Sequence, residues 1–396
     1  MIPLFQMEKL VGRRHWAGGI EKAWQRRSVV WLSGVRRTGK TCLAQSLKRV
    51  EYFDCELPRI RRMMEDPEGF LSQLQDKRVV LDEIHRLQNP AELLKIAADH
   101  FPRVQILATG SSTLGASRKF KDTLTGRKVE LWLTPMILAD LADFKQTRLE
   151  YRLLRGGLPP FFLAPQLPEG EFQEWMDAYW AKDIQELFRL ERRDSFQKCA
   201  ELILARSGGI FDAQSFAAEC EVSRTTIINY LKVLEATFAA HVVRPFSSHR
   251  PTEIISAPKV YGFDTGFVSY HRGWQELRRE DVGLLWEHFV LNELHGRLQA
   301  REIRYWRDKR GHEVDFVLAT RNRLPCAIEC KWSDRQLDST GLKAFRRAYP
   351  HGENFLVAHD VKRSYLRHFG NLLVHVVSLE ALLDKILGKE RQTKTS

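Results

Sequence analysis

Paired cysteines are missing from this chain of 396 residues: the six present, Cys42, Cys55, Cys199, Cys220, Cys326 and Cys330, are scattered and form no C-x-x-C pair. Neither a disulfide framework nor a zinc site is indicated, and the six are expected to be buried thiols. Long apolar runs are missing too, since none approaches the roughly 18 residues needed to span a bilayer, and no signal-peptide pattern opens the sequence. A soluble cytoplasmic protein, without membrane association, is the expectation. Acidic charge is in deficit, with 50 Asp and Glu against 62 Lys and Arg and a net charge of +12, which favours a polyanionic partner such as DNA or RNA. An apolar share of 43% over this length supports globular folding into two or three domains.

What is present begins with Val29-Val30-Trp31-Leu32-Ser33, a strand-like run that leads into Gly34-Val35-Arg36-Arg37-Thr38-Gly39-Lys40-Thr41. These eight residues fit the G-x-x-x-x-G-K-[ST] phosphate loop at every specified position. Gly34 and Gly39 allow positive φ and close approach to an anion, so that N–H groups from about Arg37 to Cys42 point at a β-phosphate. The helix opening at Lys40 adds its positive end. Lys40 reaches the β- and γ-phosphates of ATP in this reading, and the Thr41 hydroxyl is a ligand of Mg²⁺.

Strand and helix patterns alternate beyond the loop: Glu51 to Asp54, a helical stretch from Pro58 to Leu74, Arg78 to Asp82, Pro90 to His100, Val104 to Ala108 and Lys128 to Leu133. Such alternation predicts a parallel sheet covered by helices. The strand Arg78-Val79-Val80-Leu81-Asp82 ends in two carboxylates, where open α/β sheets place ligand residues. Asp82 is assigned to the Mg²⁺ shell and Glu83 to polarising the attacking water. Thr109 or Ser111, at the end of the Val104 run, is a candidate to sense the γ-phosphate; a capped turn accounts for the same residues.

With Leu124-Thr125-Gly126-Arg127 and Thr134-Pro135, these pieces resemble the AAA+ branch of P-loop ATPases, and more closely the prokaryotic family of AAA_14 type that carries a C-terminal DUF4143 region. The resemblance implies a Walker A of Gly34, Gly39, Lys40 and Thr41, a Walker B of Asp82 and Glu83, a sensor after the Val104 strand, and Arg127 as an arginine finger for a neighbouring subunit of a homo-oligomer. A structural arginine paired with a carboxylate is the competing account of Arg127. The segment from Thr147 to Leu190, broken at Gly156-Gly157-Leu158-Pro159-Pro160, is expected to be the helical lid.

Three helices are predicted next: Gln197 to Ala205, Asp212 to Ala218 and Ser223 to Ala236. The order looks like a winged helix-turn-helix whose third helix presents Arg224, Thr225 and Asn229 to nucleic acid. Nine basic against seven acidic residues from Arg189 to Arg250 make a weak electrostatic footprint, so a protein-contact module remains an alternative.

From Arg297 to Arg347 thirteen Lys and Arg stand against seven Asp and Glu, which concentrates positive charge around a second constellation. Glu287 lies on a predicted helix, Asp315 in a strand, and Glu329-Cys330-Lys331 in the next strand. Residues two apart on a strand share a face, so Glu329 and Lys331 project into one site with Asp315 beside them. Glu287, Asp315 and Glu329 are candidate ligands for Mg²⁺ or Mn²⁺, and Lys331 a candidate to activate the attacking water. Asp followed by Glu-x-Lys on neighbouring strands resembles the PD-(D/E)xK nuclease superfamily, although no Pro precedes Asp315.

The expected organisation is an α/β chain: a P-loop parallel-sheet ATPase core over 1–146, a helical lid over 147–194, a winged helix-turn-helix over 195–250 and a restriction-endonuclease-like α/β domain over 251–396. Its expected function is ATP hydrolysis coupled to a DNA- or RNA-binding, metal-dependent nuclease. The alternatives are an ATP-driven switch or remodeller whose C-terminal domain only binds a protein or DNA, and a regulator that reads DNA through residues 223–236.

Overall fold

The computed structural model describes residues 11–110, 114, 117–166, 169–185, 192–247, 257–299, 302–319 and 324–392. Two compact units emerge, and neither is continuous in sequence: one comprises residues 1–148, 157–193 and 232–239, the other 149–156, 194–231 and 240–396. The four consecutive segments expected from the sequence are therefore redistributed. Within the lid segment, 149–156 belongs to the second unit, and the helix Arg224–Ala236 is divided between the two.

The first unit is built on five parallel strands: β1 (Val29–Ser33), β2 (Glu51–Asp54), β3 (Arg78–Asp82), β4 (Gln105–Thr109) and β5 (Lys128–Trp132), in the order β2-β3-β4-β1-β5. Alternation along the strands explains why they read as continuous apolar runs. Val29, Trp31, Val79, Leu81, Ile106 and Ala108 fill the core on one face of the sheet. Val30, Leu32, Val80 and Leu107 fill the core on the other. A strand covered on both faces has no polar side to show.

Helix α1 (Arg14–Trp24) closes the second face with Trp16, Ile20, Ala23 and Trp24, buried at the 3.6-residue spacing of one helical stripe. Proline sets the starts of several later helices, including Pro58–Met63, Pro67–Ser72 and Pro90–His100, where its missing N–H costs nothing. The stretch predicted as one helix from Pro58 to Leu74 is two, because Asp66 caps a fresh start by accepting from the Gly69 N–H at 3.1 Å. Of the segment expected to be a lid, this unit holds Pro159–Leu163, Glu169–Tyr179 and a π-helical turn, Trp180–Ile184.

A nine-stranded mixed sheet organises the second unit, with the order β13-β14-β12-β11-β10-β9-β7-β8-β6. Its strands are β6 (Gly209–Ile210), β7 (Ala240–Pro245), β8 (Lys259–Gly262), β9 (Ile303–Arg307), β10 (Glu313–Leu318), β11 (Cys326–Lys331), β12 (Asn354–Ala358), β13 (Tyr365–Phe369) and β14 (Leu372–Val377). β7 pairs antiparallel with β8 and parallel with β9, so no sheet boundary falls at residue 250 where a domain boundary was expected. The helix Arg279–Leu298 lies against β11. It is buried on nearly every side through Leu285, Trp286, His288, Phe289, Val290, Leu291 and Leu294, which makes it a core helix rather than an amphipathic surface one.

Cysteine placement departs from expectation at one position. Cys55, Cys199, Cys220 and Cys330 are buried and Cys326 is half-buried, but Cys42 is exposed, because it directly follows the phosphate loop and faces the cavity described next.

Candidate functional site

The loop between β1 and the helix α2 (Lys40–Ser46) borders a cavity of about 510 Å³. Gly34 has φ of +150°, and a Cβ there would stand 2.4 Å from the Leu133 carbonyl oxygen, so that position admits only glycine. Gly39, at φ of +92°, caps α2 in a left-handed conformation. Between them the loop is held from inside. Thr38 Oγ1 donates to the Val35 carbonyl at 2.8 Å, and the buried Arg13 donates to the Thr38 carbonyl at 2.9 Å. Arg13 is itself fixed by the carboxylate of Asp140, which also accepts from Trp16 Nε1 at 3.2 Å and from the Ile137 N–H at 3.0 Å. This brace joins three parts of the chain far apart in sequence.

Lys40 Nζ donates to the carbonyls of Gly34 at 3.0 Å and Val35 at 3.2 Å. Burial lowers its pKa, against the raising influence of Glu83, Asp183 and Asp82. Lys40, Thr41, Cys42, Arg36, Arg37, Gly39 and Glu83 all line the cavity. Val35 contributes through its carbonyl and has its side chain in the core.

Asp82 ends β3 with both carboxylate oxygens engaged. Thr109 Oγ1 donates to Oδ1, and the Tyr52 hydroxyl donates to Oδ2 at 2.5 Å. Burial and Asp82 together push the Tyr52 phenol upward, so it stays a donor at any ordinary pH. Thr109 also accepts from the Glu83 N–H at 3.3 Å. Its place is thus between the two carboxylate residues, while Ser111 lies outside the described residues.

Glu83 sits in the left-handed region, at φ of 55°. Burial alone would raise its pKa, but the hydrogen bond to His85 and the charges of His85, Lys40 and Arg36 hold it below the usual glutamate value. His85 Nδ1 is 3.0 Å from Glu83 Oε2. Tyr52, His85 and Arg13 are the contributors that sequence reading missed. Tyr52 stands opposite Val80 in the β2–β3 register, a pairing that no local pattern in the sequence signals.

The lid segment completes the wall through Pro159, Pro160, Leu163, Lys182 and Asp183. Asp183 Oδ2 is 3.8 Å from Arg36, Glu171 is 3.7 Å from Arg37, and Trp175 Nε1 donates to the Arg36 carbonyl at 3.2 Å. Arg127 is not brought to this cavity. Its Nε donates to Asp99 at 2.7 Å and its guanidinium to the Thr123 carbonyl at 3.4 Å, the structural pairing that the sequence reading kept as its alternative.

A second cluster lies in the other unit. Pairing between β10 and β11 ends at Phe316↔Ile328, so the next residues, Asp315 and Glu329, stand where the strands part. Asp315 Oδ2 accepts from the Cys330 N–H at 2.8 Å. Lys331 Nζ is 3.2 Å from Glu329 and 3.8 Å from Asp315. Glu329 is only 5% exposed, which rules out a plain surface ion pair. Burial, followed by the Asp315 charge, holds the Glu329 carboxyl well above the usual range. The two carboxylates in turn raise Lys331 against the lowering effect of burial.

Glu287 joins this group through a residue the sequence did not single out. Lys259 Nζ bridges Glu287 at 2.9 Å and Glu313 at 2.8 Å, and the Tyr261 hydroxyl donates to Glu287 at 2.5 Å. Burial and the neighbouring Asp315 push Glu287 above its usual pKa. His312 pairs with Asp308 at 2.7 Å in the β9–β10 turn. Among the described residues, no three carboxylate, histidine or cysteine side chains form a group able to hold a metal ion.

The phosphate-loop sheet is a P-loop ATPase fold, and comparison with known families agrees with it: residues 26–142 match the AAA domain. Residues 26–142 thus carry an AAA-type P-loop ATPase domain, of a class that uses ATP with Mg²⁺, and the chain continues into two regions that match domains of unknown function, DUF8612 over residues 146–278 and DUF4143 over 282–381. The uncharacterized protein Rv2008c of Mycobacterium tuberculosis is 26% identical over 334 residues, covering 81% of this chain and 74% of that protein. The uncharacterized protein MJ1544 of Methanocaldococcus jannaschii is 22% identical over 352 residues, covering 80% and 77%. The Walker-type ATPase paby2304 of Pyrococcus abyssi aligns at a TM-score of 0.41 with 15% identity, over 67% of this chain and 97% of that one, a likeness too distant to bear on activity. No helix among the described residues is long and apolar enough to cross a membrane.

Proposed function

We propose that Lys40, Thr41, Asp82 and Glu83 form a single ATP-hydrolysing site and that its nucleotide state governs a nucleic-acid-directed C-terminal unit. One observation carries the first half: Lys40, Thr41 and Glu83 line the same cavity, with Asp82 anchored beside them by Tyr52 and Thr109. The donor set fits the expected cofactors. The loop from Gly34 to Cys42, with Arg36, Arg37 and Thr38, offers main-chain N–H groups and positive charge to phosphate, while the Thr41 hydroxyl and Asp82 are oxygen ligands suited to Mg²⁺. Bound Mg²⁺ supplies charge neutralisation on the phosphates. Glu83 orients and deprotonates the attacking water, and His85 fixes the Glu83 carboxylate. Thr109 acts through Asp82 and the Glu83 main chain. Glu83→Gln tests this reading by phosphate release and nucleotide titration. Retained affinity with lost turnover is expected, and unchanged turnover refutes it.

For the C-terminal unit, the parting of β10 and β11 at Asp315 and Glu329, with Lys331 between them, supports a metal-dependent nuclease of the PD-(D/E)xK kind acting on DNA or RNA. Asp315 and Glu329, with Glu287 as a third, would be the oxygen donors if Mg²⁺ or Mn²⁺ drew them together, and Lys331 would then steady the attacking water. The helix–strand–helix–helix–strand–strand order of residues 193–262, with β8 between β6 and β7, supports the winged-helix reading, and Arg224, Thr225 and Asn229 are exposed for contact. Incubation with plasmid and single-stranded DNA, with and without metal and ATP, tests cleavage; Lys331→Ala removes it.

A second reading is favoured by Lys259. Its ammonium already compensates Glu287 and Glu313, as Lys331 does Glu329, and a cluster neutralised from within suits a silent binding module whose partner is DNA or a protein. Homo-oligomerisation through Arg127 requires that its pair with Asp99 exchange for a neighbour's phosphate.

A further inference from the structure

The strand ends beside the C-terminal cluster carry an aromatic arrangement that no catalytic role uses. β11 and β12 run parallel with Lys331 opposite Ala358, so the residues that follow, Trp332 and His359, leave the sheet side by side. Their rings stack with centroids 4.1 Å apart and planes within 5°. Beneath them Trp286 meets both rings edge-on, at 6.0 Å each, and is itself locked by Nε1 donating to the Val357 carbonyl at 3.1 Å. The stack is therefore anchored from the core. His359 is exposed and Trp332 only half-buried, so the pair ends in an aromatic surface facing solvent.

The chain around the stack is also tied down. Asp334 N–H donates to Asp360 at 3.0 Å, and the Asp334 side chain accepts from the Tyr365 hydroxyl at 2.6 Å. Arg367 donates to the Asp334 carbonyl at 3.4 Å. Against the two carboxylates of Asp334 and Asp360, the adjoining segments present four exposed cations, Arg335, Lys362, Arg363 and Arg367. A rigid aromatic face beside a line of cations matches the chemistry of an unpaired base and its phosphate backbone. Bases stack on such faces without sequence preference, while a closed duplex keeps its bases stacked on one another.

We propose that the Trp332–His359 stack is a platform for an unpaired nucleobase, so that the C-terminal unit engages single-stranded or frayed nucleic acid in preference to closed duplex. This rests on the nucleic-acid reading of the unit but does not require cleavage. The platform sits one residue beyond Lys331.

Fluorescence anisotropy of the full chain with a labelled oligothymidylate, and with a blunt duplex, in EDTA to exclude metal-dependent cutting, tests it. Single strand is expected to bind tighter than duplex, Trp332→Ala and His359→Ala to weaken single-strand binding about ten-fold to a hundred-fold, and Trp332→Phe to retain most of it. The joint variant Lys362→Ala with Arg363→Ala is expected to flatten the salt dependence instead. Because Trp332 rests on Trp286, thermal unfolding of Trp332→Ala is measured alongside, and the exposed His359→Ala serves as the variant free of that contact. Equal affinity for the two DNA forms, or single-strand binding unchanged in His359→Ala and Trp332→Ala, overturns the platform. Binding that depends on the stack in a protein that never cleaves supports the platform and removes the nuclease reading. Absence of any nucleic-acid binding by the wild-type chain overturns both.

Discussion

Lysine is used in opposite ways by the two units. In the phosphate-loop unit, Lys40 donates to the Gly34 and Val35 carbonyls, beside an open cavity whose wall is rich in cations and main-chain groups. In the second unit, Lys259 and Lys331 lie directly against Glu287, Glu313 and Glu329 inside a sheet. The first arrangement sets its cations around open space, with the acidic partners of Arg36 and Arg37 held off at 3.8 Å and 3.7 Å. The second balances its charges internally, so any incoming cation or substrate must compete with a resident ammonium. A site built to bind strongly keeps its charge reachable, whereas one built to hold a fold pairs it at close range.

The sharpest way to break this contrast is Lys40→Ala. Loss of the phosphate-directed charge should cut ATP turnover by about a hundred-fold or more, as removal of a principal electrostatic contact does elsewhere, read as phosphate release. Turnover within a few-fold of wild type would mean that the cavity is not the hydrolytic site. Lys259→Met should act on stability instead, because it strands Glu287 and Glu313. Breaking one side of a buried ion pair costs about 3–5 kcal/mol, visible as a lowered denaturation midpoint of the second unit with ATP binding intact. An unaffected midpoint would show that this lysine is not structural.

His85→Ala should reduce kcat about ten-fold with little change in KM, since His85 acts through Glu83, and His85→Gln should recover part of the loss. A change confined to KM would place His85 in substrate binding. Smaller still is an acid effect in the second unit. His288 is buried and its pKa is depressed from 6.5 to about 3, chiefly by burial and then by the Arg152 charge, with Arg272 and His295 adding to it. The unfolded chain takes up that proton near pH 6.5 while the folded chain does so only near pH 3, so stability should fall as pH drops through this window. His288→Gln should flatten that limb in pH-dependent urea denaturation, and an unchanged limb would assign it to other groups. Arg127→Ala should leave the chain's own denaturation midpoint nearly unchanged, because an exposed pair contributes little. A large loss of turnover in the same variant would restore its role as a finger.

The strands of the first unit were legible because burial on both faces writes itself as unbroken apolar runs, and because Gly34, Gly39 and Lys40 stand at spacings set by phosphate geometry. Asp315 and Glu329-Cys330-Lys331 likewise lie on neighbouring strands, as the local pattern predicted. The contributions of Tyr52, Arg13 and Lys259 were not legible. Each acts across tens of residues, and a tyrosine, an arginine or a lysine in isolation looks like any surface residue. The boundary at residue 250 misled for a related reason. A change of local pattern marks the end of an element, but β7 closes against both β8 and β9, a pairing no local pattern encodes.

Sequence alone determined the phosphate loop, the carboxylate pair after β3 and the Glu-x-Lys pattern, since in each the chemistry lies within a few residues and backbone periodicity sets the shared face. Tertiary structure alone decided which charges are already paired: Arg127 with Asp99, Glu287 with Lys259, Arg13 with Asp140. Pairing depends on distance and burial, and the fold sets both by bringing together residues that the chain keeps apart.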